Sequence, residues 1–249
     1  MRRNILITGA SAGLGEEMAR QFAAKGHNLA LTARREDRLK ALQDELTARH
    51  PGITVITHPL DVTDHEQVFE VFRLADTELD GGLDRVIVNA GIGKGAPLGS
   101  GRFDANLETA MTNFVAALAQ AEAAMELFRA RNAGHLVLIS SIAGLRGLPK
   151  AVTTYAATKA AVASLAEGLQ LELLGKPIKV SAIYPGYIRT ELNEDVANTP
   201  LIADTVPGVR AMVAAIEAEK AKAYVPRWPW VPLARVMRYA PLPLLKRMV

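Results

Sequence analysis

The sequence predicts an α/β protein, a doubly wound parallel sheet of about seven strands with helices on both faces, in one domain over residues 1–249. Short apolar runs bounded by turn residues alternate with longer segments of helical period, the pattern of repeated βα units around a buried sheet. Hydrophobic residues form 49% of the chain and charged residues 22%, a globular balance that excludes disorder. A chain of this length buries roughly three quarters of its unfolded surface. No staple is required, and the absence of cysteine removes disulfides, thiolate metal sites and thiol nucleophiles together; no metal site is predicted.

In chain order, strands are expected at Asn4–Thr8, Leu29–Ala33, Thr54–His58, Arg85–Asn89, His135–Ser140, Lys179–Ile183 and Ala223–Val225. Each is a short run rich in Ile, Val and Leu that ends at a turn or cap residue. Between them the apolar period lengthens to that of a helix, at Leu14–Ala24, Glu36–Arg49, Asp64–Leu79, Leu107–Arg131, Thr153–Leu174 and Val206–Glu219. Thr63 or Asp64 can cap the third helix.

The start, MRRNILITGASAG, has an apolar run of only Ile5–Ile7, far short of a signal-peptide core. No segment has the unbroken apolar length that crosses a bilayer, and a cytoplasmic protein is expected. The net charge of +3 is uneven: Lys220, Lys222, Arg227, Arg235, Arg238, Lys246 and Arg247 follow Glu219 with no acid among them. The rest is therefore mildly acidic, which argues against nucleic-acid binding. Residues 225–249 hold five of the 13 prolines and both tryptophans. This basic, Pro/Trp-rich tail is expected to pack over a pocket or another subunit, or to lie on an anionic membrane surface.

Directly after the first strand comes TGASAGLG, Thr8–Gly15, opening a helix. Gly9 allows the tight turn, Gly13 a close approach of backbone to pyrophosphate, and Gly15 close packing of helix on strand, so free N–H groups and the helix dipole face an anion. With a strand before and a helix after, the turn is read as a Rossmann-like nucleotide site.

The glycine spacing, with LDV at Leu60–Val62, NAG at Asn89–Gly91, Asn113, SSIAG at Ser140–Gly144, YAATK at Tyr155–Lys159 and YPGYIRT at Tyr184–Thr190, resembles the short-chain dehydrogenase/reductase family, collinearly from residue 4 to about 190. The resemblance implies a nicotinamide cofactor held by Gly9, Ser11, Ala12, Gly13, Leu14, Gly15, Asp61, Val62, Asn89, Ala90, Gly91, Tyr155, Lys159, Pro185, Gly186, Ile188 and Thr190. Where a carboxylate would accept the adenine ribose, the chain has Ala33 followed by Arg34 and Arg35, which in this family implies NADP(H), with Arg34 foremost at the 2′-phosphate. The alternative is that Arg34–Arg38 is a solvated helix start.

A tyrosine, with a pKa of about 10, needs an acidifying neighbour to exchange protons near pH 7. Lys159 lies one helical turn from Tyr155 on the same face. The family's mechanism implies Tyr155 as acid/base, Lys159 lowering its pKa and binding ribose, Ser141 holding the carbonyl oxygen, and Asn113 anchoring a water beside the lysine. The chain departs from the family pattern in having Val88 before Asn89, and in a spacing of fourteen rather than thirteen from Ser141 to Tyr155, the extra residue being assigned to Leu148–Thr153.

Specificity is expected in Gly93–Phe103, Leu145–Thr153 and Tyr187–Thr205, with Leu145, Leu148, Tyr187 and Leu192 forming an apolar pocket for a 3-oxoacyl, steroid-like or lipid-linked carbonyl compound. The resemblance also implies a homo-oligomer, a dimer or tetramer. Two other functions use the same residues: an NADP(H)-binding regulator without turnover, and an isomerase or epimerase with the same tyrosine and lysine.

Overall fold

The computed structural model describes residues 2–190 and 201–248. Its centre is a parallel sheet of seven strands, β1 (Asn4–Thr8), β2 (Asn28–Ala33), β3 (Val55–Pro59), β4 (Arg85–Val88), β5 (Gly134–Ile139), β6 (Ile178–Pro185) and β7 (Lys222–Val225), in the order β3-β2-β1-β4-β5-β6-β7. The central strands β1, β2, β4 and β5 are mostly apolar and buried because both faces are covered. Successive side chains point to opposite faces. Ile5, Ile7, Leu29 and Leu31 enter a core with Met18 and Phe22 of α1 (Gly13–Ala23), with α2 (Glu36–Arg49) and with α7 (Thr205–Glu217), while Leu6, Val86, Leu136 and Leu138 enter a second core. That second core is closed by α3 (His65–Glu78), α5 (Ala116–Arg131) and α6 (Val152–Glu172).

The predicted strands and helices recur with ends displaced by a few residues, and three differences matter. β4 stops at Val88, so Asn89 leaves the ladder. The long helix predicted from Leu107 begins at Phe103 as α4 (Phe103–Ala110) and passes through a π-bulge, Met111–Val115, before α5. The tail is helical: α8 (Arg227–Tyr239) packs Trp230, Ala234 and Met237 into the second core, and α9 (Leu242–Met248) follows. Its prolines hide this in the sequence. Trp228 is non-helical, at φ −100° and ψ 132°, so Pro229 and Pro232 fall in the first regular turn, where a missing N–H costs little.

At the amino ends of the central strands, away from the glycine turn, Arg85 Nε donates to His135 Nδ1 at 2.9 Å, and His135 Nε2 lies 2.8 Å from Ser181 Oγ. Burial pushes the imidazole down to about 2, so it stays neutral across the physiological range.

Candidate active site

The glycine turn sits where the strand order reverses, between β1 and β4, at the carboxyl ends of the strands. Gly9 has φ +67°, and a Cβ there would come 2.9 Å from Ala90 Cα; a Cβ on Gly15 would run into the Gly9 carbonyl oxygen. The N-cap of α1 is Ala12, whose side chain makes no cap hydrogen bond, so the first N–H groups of the helix stay available to an anion. This uncapped cradle fits a pyrophosphate. Thr190 borders it, its Cβ 3.4 Å from where a Cβ on Gly13 would stand.

Thr8, at the end of β1, locks the neighbouring turn. Its hydroxyl accepts from the N–H groups of Asn89 and Ala90 at 3.0 and 3.1 Å, and its carbonyl accepts from Asn89 Nδ2 at 2.9 Å. Asn89 is thus spent on holding β1 to β4. Val88, which takes the place of the family's first asparagine, is a core residue, 3% exposed, so Thr8 and Asn89 carry the tie between the strand ends.

Arg34 and Arg35 are exposed at the end of β2. Arg35 reaches the glycine turn, with Nε 3.2 Å from Ser11 Oγ and Nη2 3.3 Å from Ser11 O. Asp61 accepts from Thr63 N and Oγ1 at 3.0 and 2.7 Å. Burial acts upward on its carboxyl, but the Thr63 hydrogen bonds and the Arg34 charge outweigh it and hold the group below its usual range. Asp64 rather than Thr63 caps α3, accepting from Gln67 N at 3.1 Å, and Val62 is buried beside them.

Ser141, Tyr155 and Lys159 converge beyond β5. The Ser141 hydroxyl accepts from Ala143 N at 3.1 Å and lies beside the half-buried Tyr155 phenol, on which it acts to favour loss of the proton. Ser140 faces the other way, donating from Oγ to the Lys159 carbonyl at 2.8 Å and pinning α6 to the strand end. Gly144 lets the turn after Ser141 touch the Lys159–Ala160 backbone. Lys159, 6% exposed, donates from Nζ to the Ile139 carbonyl at 2.9 Å, with Nζ 5.9 Å from the Tyr155 ring centre. Burial raises the Tyr155 phenol above its ordinary value, Ser141 opposes the rise, and the nearby Tyr187 adds to it. The Lys159 ammonium lies close to this phenol but is turned to the strand end.

Burial pushes the Lys159 ammonium down to about 8 from its ordinary 10.5. Between those values the unfolded chain binds more protons than the folded one, so stability should rise with pH across that window. At pH 7 the buried charge costs up to about 3 kcal/mol, which the hydrogen bond to Ile139 offsets in part. Lys159→Met is therefore expected to melt, without cofactor, within a few degrees of the parent or above it at pH 7, and the parent should gain on the variant between pH 8 and 10.5. Parallel stability profiles for the two proteins would show that the lysine is not strained.

Asn113 lies in the π-bulge, 1% exposed, and joins the backbone of Ile92 in both directions: Oδ1 accepts from Ile92 N at 2.8 Å and Nδ2 donates to Ile92 O at 2.9 Å. A Cβ on Gly91 would stand 3.1 Å from Asn113 Oδ1 and 3.6 Å from Lys159 Nζ, so all three line one spot. Asn113 thereby positions the segment after β4 against the lysine. Asn106 and Thr154, which sequence reasoning missed, fix the next stretch: Asn106 Oδ1 accepts from Ala96 N at 3.1 Å and from Thr154 Oγ1 at 2.9 Å. Reciprocal amide-to-backbone bonds of this kind leave no trace in residue spacing.

The tail closes the nicotinamide turn predicted at Pro185–Thr190. Gly186 N donates to Val225 O at 2.8 Å, and the Trp230 ring lies on Gly186 where a Cβ would stand. Trp230 also meets Tyr187 edge to face, with ring centres 5.6 Å apart. Arg146 Nη1 donates to the carbonyls of Met237, Arg238 and Ala240 at 2.9–3.2 Å, capping α8 against the segment that follows Ser141. Ile188 is buried and bridges Ala203. Of the expected pocket residues, Leu148 is buried, Leu145 packs on the second core and Tyr187 is exposed, while Leu192 and residues 191–200 lie outside the described residues. In the loop given the extra residue, Thr153 Oγ1 donates to the carbonyls of Leu148 and Lys150 at 2.9 Å, and Lys150 takes φ +61°.

Sheet order, glycine turn and the Ser, Tyr and Lys at one strand end define a Rossmann-like α/β protein in which a glycine-rich cradle and a small cluster of polar side chains share the carboxyl ends of the strands. The short chain dehydrogenase family matches residues 3–200, and the chain belongs to it, as an oxidoreductase of that family. It is 54% identical over 246 residues to an uncharacterized oxidoreductase of Mycobacterium tuberculosis, covering 99% of this chain and 97% of the relative. Among solved structures it resembles a short-chain dehydrogenase from Sphingobium yanoikuyae in complex with NADPH, with a TM-score of 0.82 at 29% identity over 94% of this chain and 93% of that one. A family member from Burkholderia phymatum in complex with NAD shares the fold, with a TM-score of 0.82 at 23% identity over 94% and 92%.

Proposed function

We propose that the protein is an NADP(H)-dependent reductase or dehydrogenase that interconverts a carbonyl group and a secondary alcohol on a moderately apolar substrate. The observation that carries this reading is Ser141 acting on the Tyr155 phenol with Lys159 Nζ 5.9 Å from the Tyr155 ring centre, at the carboxyl ends of the strands where the uncapped glycine turn also lies. A nicotinamide cofactor, once bound, supplies or accepts hydride at C4. The backbone of Gly9–Gly15 would hold its pyrophosphate, Asp61 and Val62 its adenine, Lys159 its ribose, and the Pro185–Thr190 turn its carboxamide. Ser141 holds the substrate oxygen, and the Tyr155 phenol gives that oxygen a proton in reduction or takes one in oxidation. For this the phenol must fall from its raised value. The Lys159 ammonium does so by leaving Ile139 for the ribose side, where its charge favours the phenolate.

Preference for NADP(H) is supported by the two arginines at the end of β2 and by Arg35 lying on Ser11 of the turn. A 2′-phosphate met by Arg34 makes charge-assisted bonds worth about 1.5–3 kcal/mol. Arg34→Ala should therefore weaken NADPH by about ten- to a hundredfold and leave NADH unchanged. Equal affinity of the parent protein for NADPH and NADH in a fluorescence titration would remove the preference. The activity itself is tested by following NADPH absorbance against a panel of ketones and aldehydes. Tight NADPH binding with no turnover of any carbonyl compound would favour a nucleotide-binding regulator.

A further inference from the structure

Helix α8 carries two apolar stripes. Trp230, Ala234 and Met237, spaced i, i+4, i+7, are buried against the second core. Pro232, Val236 and Tyr239 have the same spacing and, by the helical period, point to the opposite side. All three are exposed, Val236 by 46% and Tyr239 by 79%. Trp228 just before them, at 79%, and Leu242 and Leu244 of α9, at 70% and 46%, are further exposed apolar side chains of the same segment. Single exposed apolar residues are ordinary, but a contiguous set on one segment marks an interaction site.

The charges on this segment narrow the partner. Arg227, Arg235, Arg238 and Lys246 are exposed among the apolar residues, and the sequence holds no Asp or Glu beyond Glu219. Two copies joined through this face would bring cation against cation, with no acid in the segment to answer them. An anionic lipid surface answers both features, taking the aromatic and aliphatic side chains into the headgroup boundary and the cations onto its phosphates.

We propose that α8 and α9 form a docking surface for an anionic bilayer. The helices lie in the interface plane, with Trp228, Val236 and Tyr239 inserted and Arg235 and Arg238 flanking them. Among the described residues no helix is long and apolar enough to cross a membrane, so the contact is peripheral. Trp230, on the reverse side of α8, rests on Gly186. Only the thickness of one helix, ~10 Å, therefore separates the docking face from the Pro185–Thr190 turn.

Co-sedimentation of the full chain with vesicles of phosphatidylglycerol and phosphatidylcholine, against vesicles of phosphatidylcholine alone, tests this. Binding at least about tenfold stronger to the anionic vesicles, falling with added salt, is expected. It should come with a blue shift of tryptophan emission that Trp228→Ser removes. Arg235→Gln with Arg238→Gln should weaken partition by about thirtyfold. Val236→Ser with Tyr239→Ser should weaken it while leaving the melting temperature unchanged, since both side chains face outward. Equal or absent binding to the two vesicle types at low salt overturns the proposal without recourse to any variant. So does a dimer in solution that Val236→Asp with Tyr239→Asp dissociates while vesicle binding persists, because the face then belongs to a second copy.

Discussion

Tyr155→Phe is expected to lower kcat/KM for any carbonyl substrate by about 10²–10⁴-fold, the range lost when a positioned general acid is removed. Phenylalanine keeps the ring and removes only the hydroxyl on which Ser141 acts. The Ser141 hydroxyl retains its bond from Ala143 N, so the turn should hold its shape. NADPH affinity and melting temperature should stay close to those of the parent, which separates lost chemistry from lost structure. Steady-state kinetics with a titration of NADPH read both quantities. A variant with parental kcat would show that the proton comes from elsewhere.

Trp230→Ala should destabilise the protein by about 3–5 kcal/mol, the usual cost of emptying a large buried aromatic site. The side chain is 3% exposed, covers Gly186 and meets Tyr187 edge to face. Its loss releases the turn expected to hold the carboxamide, so the KM for cofactor should rise along with the loss of stability. Trp230→Phe separates size from polarity. Trp230 Nε1 is buried without a hydrogen-bond partner among the described residues, so phenylalanine gives up none of the described bonds and fills most of the space. It should recover most of the stability lost in Trp230→Ala, as measured by urea unfolding. A Trp230→Ala protein within 1 kcal/mol of the parent would mean that α8 does not brace the site.

Tyr155 and Lys159 were legible in the sequence as a pair one helical turn apart, and Ser141 by its resemblance to the family's serine at a strand end. Asn113 was legible by resemblance, but its work was not. Its side chain is committed to the Ile92 backbone, 21 positions away in sequence, and its π-bulge carries no apolar signature. Thr8, Asn106 and Thr154 escaped for the same reason, since a hydroxyl or amide that bonds distant backbone looks like any other polar residue. The state of the lysine also had to come from the structure. Spacing alone predicts an ammonium beside a phenol, whereas the fold turns Nζ to the Ile139 carbonyl and lets burial raise the tyrosine.

The tail shows the same division most fully. Composition alone marked residues 225–249 as basic, proline-rich and the site of both tryptophans. Those prolines concealed two helices, because proline is compatible with a first helical turn and local propensity cannot tell such a start from an irregular segment.

By itself the sequence determined the order of strands and helices and the glycine turn, since alternation, period and short-range spacing are read within one or two turns of chain. Only the tertiary structure decided that α8 lies on Gly186, that Arg146 caps it and that its second apolar stripe faces outward. Those contacts join residues tens of positions apart, and burial, which selects between the two apolar stripes of one helix, is a property of the packed chain alone.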